Sequence, residues 1–170
     1  MLPRDAAKTT ITLYNYLRLK QPHEEEPPVF TYKKTVLPDC VWQQDAEATY
    51  EKTGKLDADA VKLLIPYYPD YFSVQNGEVF RGTGWTVEIG PEVLSSYIVK
   101  GECQFNFPPP IFEQGEPVTG GGPQGGHPSP ADFLRQYIQP FETTVKYKKP
   151  KEIIEYFTGS RSLWYIEVRC

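Results

Sequence analysis

Between Asp59 and Pro69 the chain reads D-A-V-K-L-L-I-P-Y-Y-P. Val61, Leu63 and Ile65 fall at every second position, with Lys62 and Leu64 between them. That period belongs to a β-strand with one buried face, because successive side chains leave a strand on opposite sides. Pro66 and Pro69 stop the strand, since proline has no N–H to give to a ladder. The alternation predicts a central strand with Val61, Leu63 and Ile65 in the core. The upstream segment Thr35–Asp45, T-V-L-P-D-C-V-W-Q-Q-D, is expected to pair near it across a polar link. Seventeen Pro and thirteen Gly in 170 residues favour many short strands and irregular loops over long helices. Twelve Tyr, nine Phe and three Trp provide large burial without many aliphatic residues. The length suits one domain, residues 1–170, with its own core.

Thr9–Leu17 reads as the first strand, with Ile11, Leu13 and Leu17 on one face. Val29–Val36 reads as the second; Leu37-Pro38-Asp39 breaks or bulges it, and Cys40–Gln43 resumes an extended path. Trp42 is expected to anchor the core, with ligand stacking as the functional alternative. Asp45–Ala58 is a polar excursion. Tyr67, Tyr68, Tyr71 and Phe72 gather around Pro66 and Pro69, either as a loop packed on its own domain or as a sugar-stacking platform. Asn76-Gly77 signals a hairpin turn. Trp85, Val87 and Ile89 alternate as a further strand. Ser96–Phe107 alternates again, with Tyr97, Val99, Cys103, Phe105 and Phe107 on one side and Lys100, Glu102, Gln104 and Asn106 on the other.

Residues 108–128 change composition abruptly, to P-P-P-I-F-E-Q-G-E-P-V-T-G-G-G-P-Q-G-G-H-P. Such a stretch cannot bury enough to fold alone. It reads as a disordered linker or as an extended arm that orders on a neighbour; Ile111, Phe112 and Val118 favour the arm slightly, since a pure linker needs no apolar residues. Ser129-Pro130-Ala131-Asp132 starts a short helix, with Phe133, Leu134, Tyr137 and Ile138 on one face and Pro140 as its end. Thr143–Tyr147 is expected to be extended. The chain closes with a hairpin, Glu152–Thr158 and Leu163–Arg169, in which Trp164, Ile166 and Val168 alternate. The fold class is mainly β: a small barrel or sandwich with one short helix and a long Gly/Pro-rich loop or arm.

Catalytic patterns are weak. Arg81–Trp85, R-G-T-G-W, lacks the third glycine of a dinucleotide fingerprint and the Lys-Ser/Thr of a phosphate loop. His23 opens H-E-E-E-P, which offers a single imidazole and no zinc-protease spacing; Glu24, Glu25 and Glu26 read as a solvated loop, with hard-cation binding as the alternative. His127 has no nearby partner in sequence. Cys40, Cys103 and Cys170 are odd in number and far apart, so free thiols are expected rather than a disulfide framework or a zinc site. The carboxylates form no marked acid/base pair, and no G-x-S-x-G is present. No enzyme activity, catalytic residue, metal or cofactor is therefore expected. A net charge of −4 argues against general nucleic-acid binding. The basic run Lys146, Lys148, Lys149 and Lys151 reads as a solvated strand end, with phosphate binding as the alternative. No apolar run is long enough to span a bilayer, and M-L-P-R-D-A-A-K lacks a signal-peptide core, so cytosolic synthesis without membrane insertion is expected.

Taken in order, several segments resemble small virion proteins of tailed bacteriophages and prophages encoded in the head–tail joining region. They are T-I-T-L-Y-N (Thr10–Asn15), T-V-L-P-D-C-V-W (Thr35–Trp42), A-V-K-L-L-I-P (Ala60–Pro66), Y-I-V-K-G-E (Tyr97–Glu102) and T-G-S-R-S-L-W-Y-I-E-V (Thr158–Val168). Residues 108–128 depart from the shorter common pattern. The resemblance implies a β-barrel or sandwich subunit of a homo-oligomeric ring in the head–tail connector. The implied role is head closure (a stopper), retaining packaged DNA and docking the tail; adaptor, tail terminator or another tail component are alternatives. Its partners would be portal, adaptor and tail proteins, with transient contact to packaged DNA. Its place would be the head–tail interface of the virion, assembled in the bacterial host cytoplasm. The reading from another class is a carbohydrate- or ligand-binding β-domain using Trp42, Tyr67, Tyr68 and Trp85; a small hydrolase with unrecognised carboxylates is a third.

Overall fold

A computed structural model of the chain describes residues 7–18, 30–44, 60–68, 85–91, 94–108, 111–113, 116–118 and 130–170. Strands β1 (Lys8–Arg18), β2 (Phe30–Gln44), β3 (Val61–Pro66) and β4 (Tyr97–Lys100) are followed by the short β5 (Ile111–Glu113) and β6 (Glu116–Val118). A helical run, α1 (Pro130–Phe133), a π turn (Leu134–Ile138) and α2 (Gln139–Thr144), precedes β7 (Glu152–Tyr156) and β8 (Tyr165–Arg169). Six strands form one antiparallel sheet in the order β4-β1-β2-β3-β8-β7, and β5 and β6 form a separate two-stranded ladder.

The strand alternation sorts apolar side chains onto two faces. Ile11 and Leu13 of β1, Leu37 and Cys40 of β2, Val61, Leu63 and Ile65 of β3, Ile98 of β4, and Ile166 and Val168 of β8 share one buried cluster. Trp85 and Val87 belong to the same cluster, and Trp42, Tyr67, Tyr68, Ile153 and Phe157 pack against it. The other face is aromatic: Tyr14, Tyr32, Tyr97 and Val99 meet Phe107, Phe133, Ile138 and Phe141, with Tyr16, Cys103, Phe105, Tyr137, Val145 and Tyr147 around them. Tyr14 lies 5.4 Å from Phe107 and 5.1 Å from Phe141, both edge-on, the arrangement that aromatic quadrupoles favour. Packing on both faces makes the fold sandwich-like.

The sheet does not close, so the barrel alternative is not supported. Its end strands are β4 and β7. A single bridge links Ile98 of β4 to Lys148, just ahead of β7, through two backbone hydrogen bonds of 2.8 Å. Alternate residues present their N–H groups to the same side, and two residues beyond Lys148 stands Pro150, which has none. The bridge therefore does not grow into a ladder.

Of the two outcomes expected at Leu37-Pro38-Asp39, a break or a bulge, β2 takes the bulge: the strand is continuous there, Asp39 takes φ 60°, and the β1–β2 register shifts at Thr9/Ile11. Other expectations need correcting. Residues 86–89 form no strand; Trp85 makes an isolated bridge, and Ile89 is 53% exposed. The strand expected over Ser96–Phe107 is only Tyr97–Lys100, since Gly101 turns at φ 85° and its N–H bonds back to Thr10 O at 2.7 Å. Beyond that turn Cys103, Phe105 and Phe107 still reach the aromatic cluster, as their alternation predicted.

Pro140 does not end the helix. Gln139 N–H donates to Leu134 O, a wide π turn directly ahead of the proline, and α2 continues to Thr144. The wide turn makes room for a ring that would otherwise meet the carbonyl four residues back. Thr143 and Thr144 are consequently helical, not extended, and their hydroxyls donate to Gln139 O and Pro140 O. Leu134 points outward at 42% exposure, while Phe133, Ile138 and Phe141 are buried. The expected excursion 45–58, the Asn76-Gly77 turn, the glycine turn at 81–84, Tyr71 and Phe72 lie outside the described residues.

Candidate functional site

The described residues bring half-buried aromatic side chains together at the end of the β7–β8 hairpin. Gly159 opens the turn at φ 76°, a conformation that suits glycine, and a 3-10 turn spans Arg161–Leu163. Trp164 Nε1 donates to Gly159 O at 3.2 Å, which holds the indole against the turn. The Arg161 guanidinium lies 5.8 Å from the Trp164 ring centroid, within cation–π range. Pro66 faces Tyr165 in the β3–β8 ladder, so the residue after β3, Tyr67, is delivered beside Trp164. Its N–H donates to Trp164 O at 3.0 Å, and its ring meets Trp164 at 5.2 Å and Phe157 at 5.5 Å, both edge-on. On the opposite side of the hairpin Tyr156 and Tyr165 stack with centroids 4.5 Å apart. Leu163, at 43% exposure, completes an apolar tip with Arg161 as its cation.

The sheet under this tip is locked by charge. Glu167, buried on β8, accepts from Arg169 Nε at 2.9 Å and lies 3.9 Å from Lys62 Nζ; Arg169 also reaches Glu152 at 2.9 Å. The hydrogen bond that Arg169 donates to Glu167 raises the Arg169 pKa further, with Glu152 adding to it. On the aromatic face Tyr97 Oη donates to Glu142 Oε1 at 2.7 Å, tying the helix to β4. Burial pushes the Tyr97 and Tyr32 hydroxyls well above their ordinary range, so both are neutral donors. Burial also raises the Glu88 carboxyl. The contacts of Arg169 with Glu167 and Glu152 and of Tyr97 with Glu142 position β8, β7, β4 and the helix.

The residues singled out from sequence do not converge. Trp85 is 2% exposed and Tyr68 packs edge-on against it at 6.1 Å, with the Tyr68 hydroxyl donating to Pro38 O. Trp42 packs on the same core. Trp42, Tyr67, Tyr68 and Trp85 thus serve packing and present no shared open face. Ile111 stands opposite Val118, and Phe112 opposite Pro117, in the β5–β6 ladder, apart from the six-stranded sheet. His23, Glu24, Glu25, Glu26 and His127 lie outside the described residues. Lys149 Nζ sits 5.0 Å from the Tyr97 ring centroid, and Lys146 is exposed. Cys40, Cys103 and Cys170 are free. Among the described residues no three His, Cys, Asp or Glu side chains group to hold a metal, and no helix is long and apolar enough to cross a membrane.

Sequence reasoning missed the Tyr67–Phe157–Trp164 cluster. Its signal was the proline ending β3: a strand that stops at Pro66 beside a C-terminal hairpin must release the next residue at the hairpin's end.

Residues 6–111 match the model of a family of unknown function, DUF6751. That span covers β1 to β4 and reaches the first residue of β5; the helix and the C-terminal hairpin follow it. No curated protein and no solved structure matches the chain.

Proposed function

The chain belongs to the DUF6751 family, and we propose that it is a structural assembly protein of a tailed bacteriophage, a subunit of a homo-oligomeric ring in the head–tail connector. One observation supports this reading most. The five segments that resemble head–tail joining proteins, scattered from Thr10 to Val168, fall on β1, β2, β3, β4 and the β7–β8 hairpin. These are strands of one sheet. The likeness thus follows a connected piece of fold rather than unrelated stretches. In this role the subunit closes the head below the portal and adaptor, helps retain packaged DNA and offers a docking surface to the tail. The net charge of −4 suits a channel that DNA must leave without adhering. Adaptor, tail terminator or another tail component share the same physical requirements.

The test is association. Purified protein, alone and mixed with any portal and neck proteins encoded in its own genome, is measured by light scattering after size exclusion and imaged by negative-stain electron microscopy. Rings, or stable complexes with portal or neck proteins, are the expected result. A chain that stays monomeric at every concentration and binds none of them overturns the proposal. Specific retention on a glycan array by such a monomer would instead favour the carbohydrate-binding reading.

A further inference from the structure

We draw no further inference here: the strongest candidate, the aromatic tip of the β7–β8 hairpin around Arg161, Leu163 and Trp164, is an exposed apolar surface, and nothing in the structure shows what covers it.

Discussion

Leu63 has no exposed surface, and in the ladders of β3 it faces Trp42 on one side and Val168 on the other. Truncation to Ala removes buried methyl groups between two elements that cannot both move in, so Leu63→Ala should cost about 2–5 kcal/mol. Urea unfolding measures it; a change within a few tenths would mean that the site collapses or is not core. The thiols make a second prediction at this scale. Burial, with a smaller contribution from Asp39, pushes Cys40 up to about 12, and burial pushes Cys170 up to about 12 against the lowering effect of Lys148 and Lys151. An unfolded thiol ionises near ~8.5. The folded state therefore holds protons that the unfolded state has released. The associated stability is fully present below about pH 8.5 and is lost as pH rises toward about 12. The urea midpoint should be flat between pH 7 and 8 and then fall, less steeply in Cys40→Ala. A midpoint that climbs above pH 9 would contradict the assignment. At pH 8 a thiol reagent should label half-buried Cys103 well before the two buried thiols.

At the level of elements, β8 lies inside the sheet between β3 and β7, and its Ile166 and Val168 are fully buried. Deleting residues 163–170 would expose the β3 edge and strand β7, so the truncated chain should be insoluble; a soluble, cooperatively folding product would refute the role of the hairpin in the sheet. β7 itself is an end strand guarded against pairing. Pro150 cannot donate, and Lys151 N–H donates to Arg169 O at 2.7 Å although Glu152 already faces Arg169, so two residues oppose one as in a bulge. Lys151, Glu152 and Glu155 place charge along the same edge. The double variant Lys151→Val, Glu155→Val should aggregate with rising concentration in light scattering while the wild type does not; equal solubility would show that the edge needs no such guard. These elements also mark what was legible in the sequence. Alternation in Val61–Ile65 and Trp164–Val168 revealed the faces, because a period of two survives without tertiary information. It did not reveal length: Tyr97–Phe107 keeps its period past Gly101 although ladder pairing stops there, since packing and pairing are separate constraints. Trp85–Ile89 alternates just as well, yet it covers a core without joining a ladder. Pro140 read as a stop because a local rule cannot see the π turn that spares the helix. The hairpin-tip cluster was hidden for a related reason: Tyr67 and Trp164 meet only through a register between strands distant in sequence.

For the whole molecule, the assembly role proposed above depends on what a single subunit leaves unfinished, and the stretch 108–128 is the candidate. It carries β5 and β6, a ladder of three residues on each side that is separate from the main sheet. A two-stranded ribbon of that length is marginal in water, because few contacts offset the ordering of its backbone. If the proposed assembly holds, Ile111, Phe112 and Val118 would complete the packing of this ribbon on a neighbouring subunit or a stacked ring component. Ordering such an arm costs roughly 1–2 kcal/mol per fixed residue, so the partner surface must be substantial. Hydrogen exchange resolved by peptide, on the free subunit and on the assembled particle, decides it. Backbone amides between 108 and 128 should exchange fast in the free subunit and slow on assembly, while β1–β3 stay protected in both. Replacing Ile111 and Phe112 together by Ser should abolish the gain and weaken assembly without lowering the urea midpoint of the free subunit. Strong protection of the free subunit would make the stretch part of its own domain. Fast exchange in both states, with assembly unaffected by the substitutions, would reduce it to a linker and leave the subunit contacts to the sheet and the hairpin.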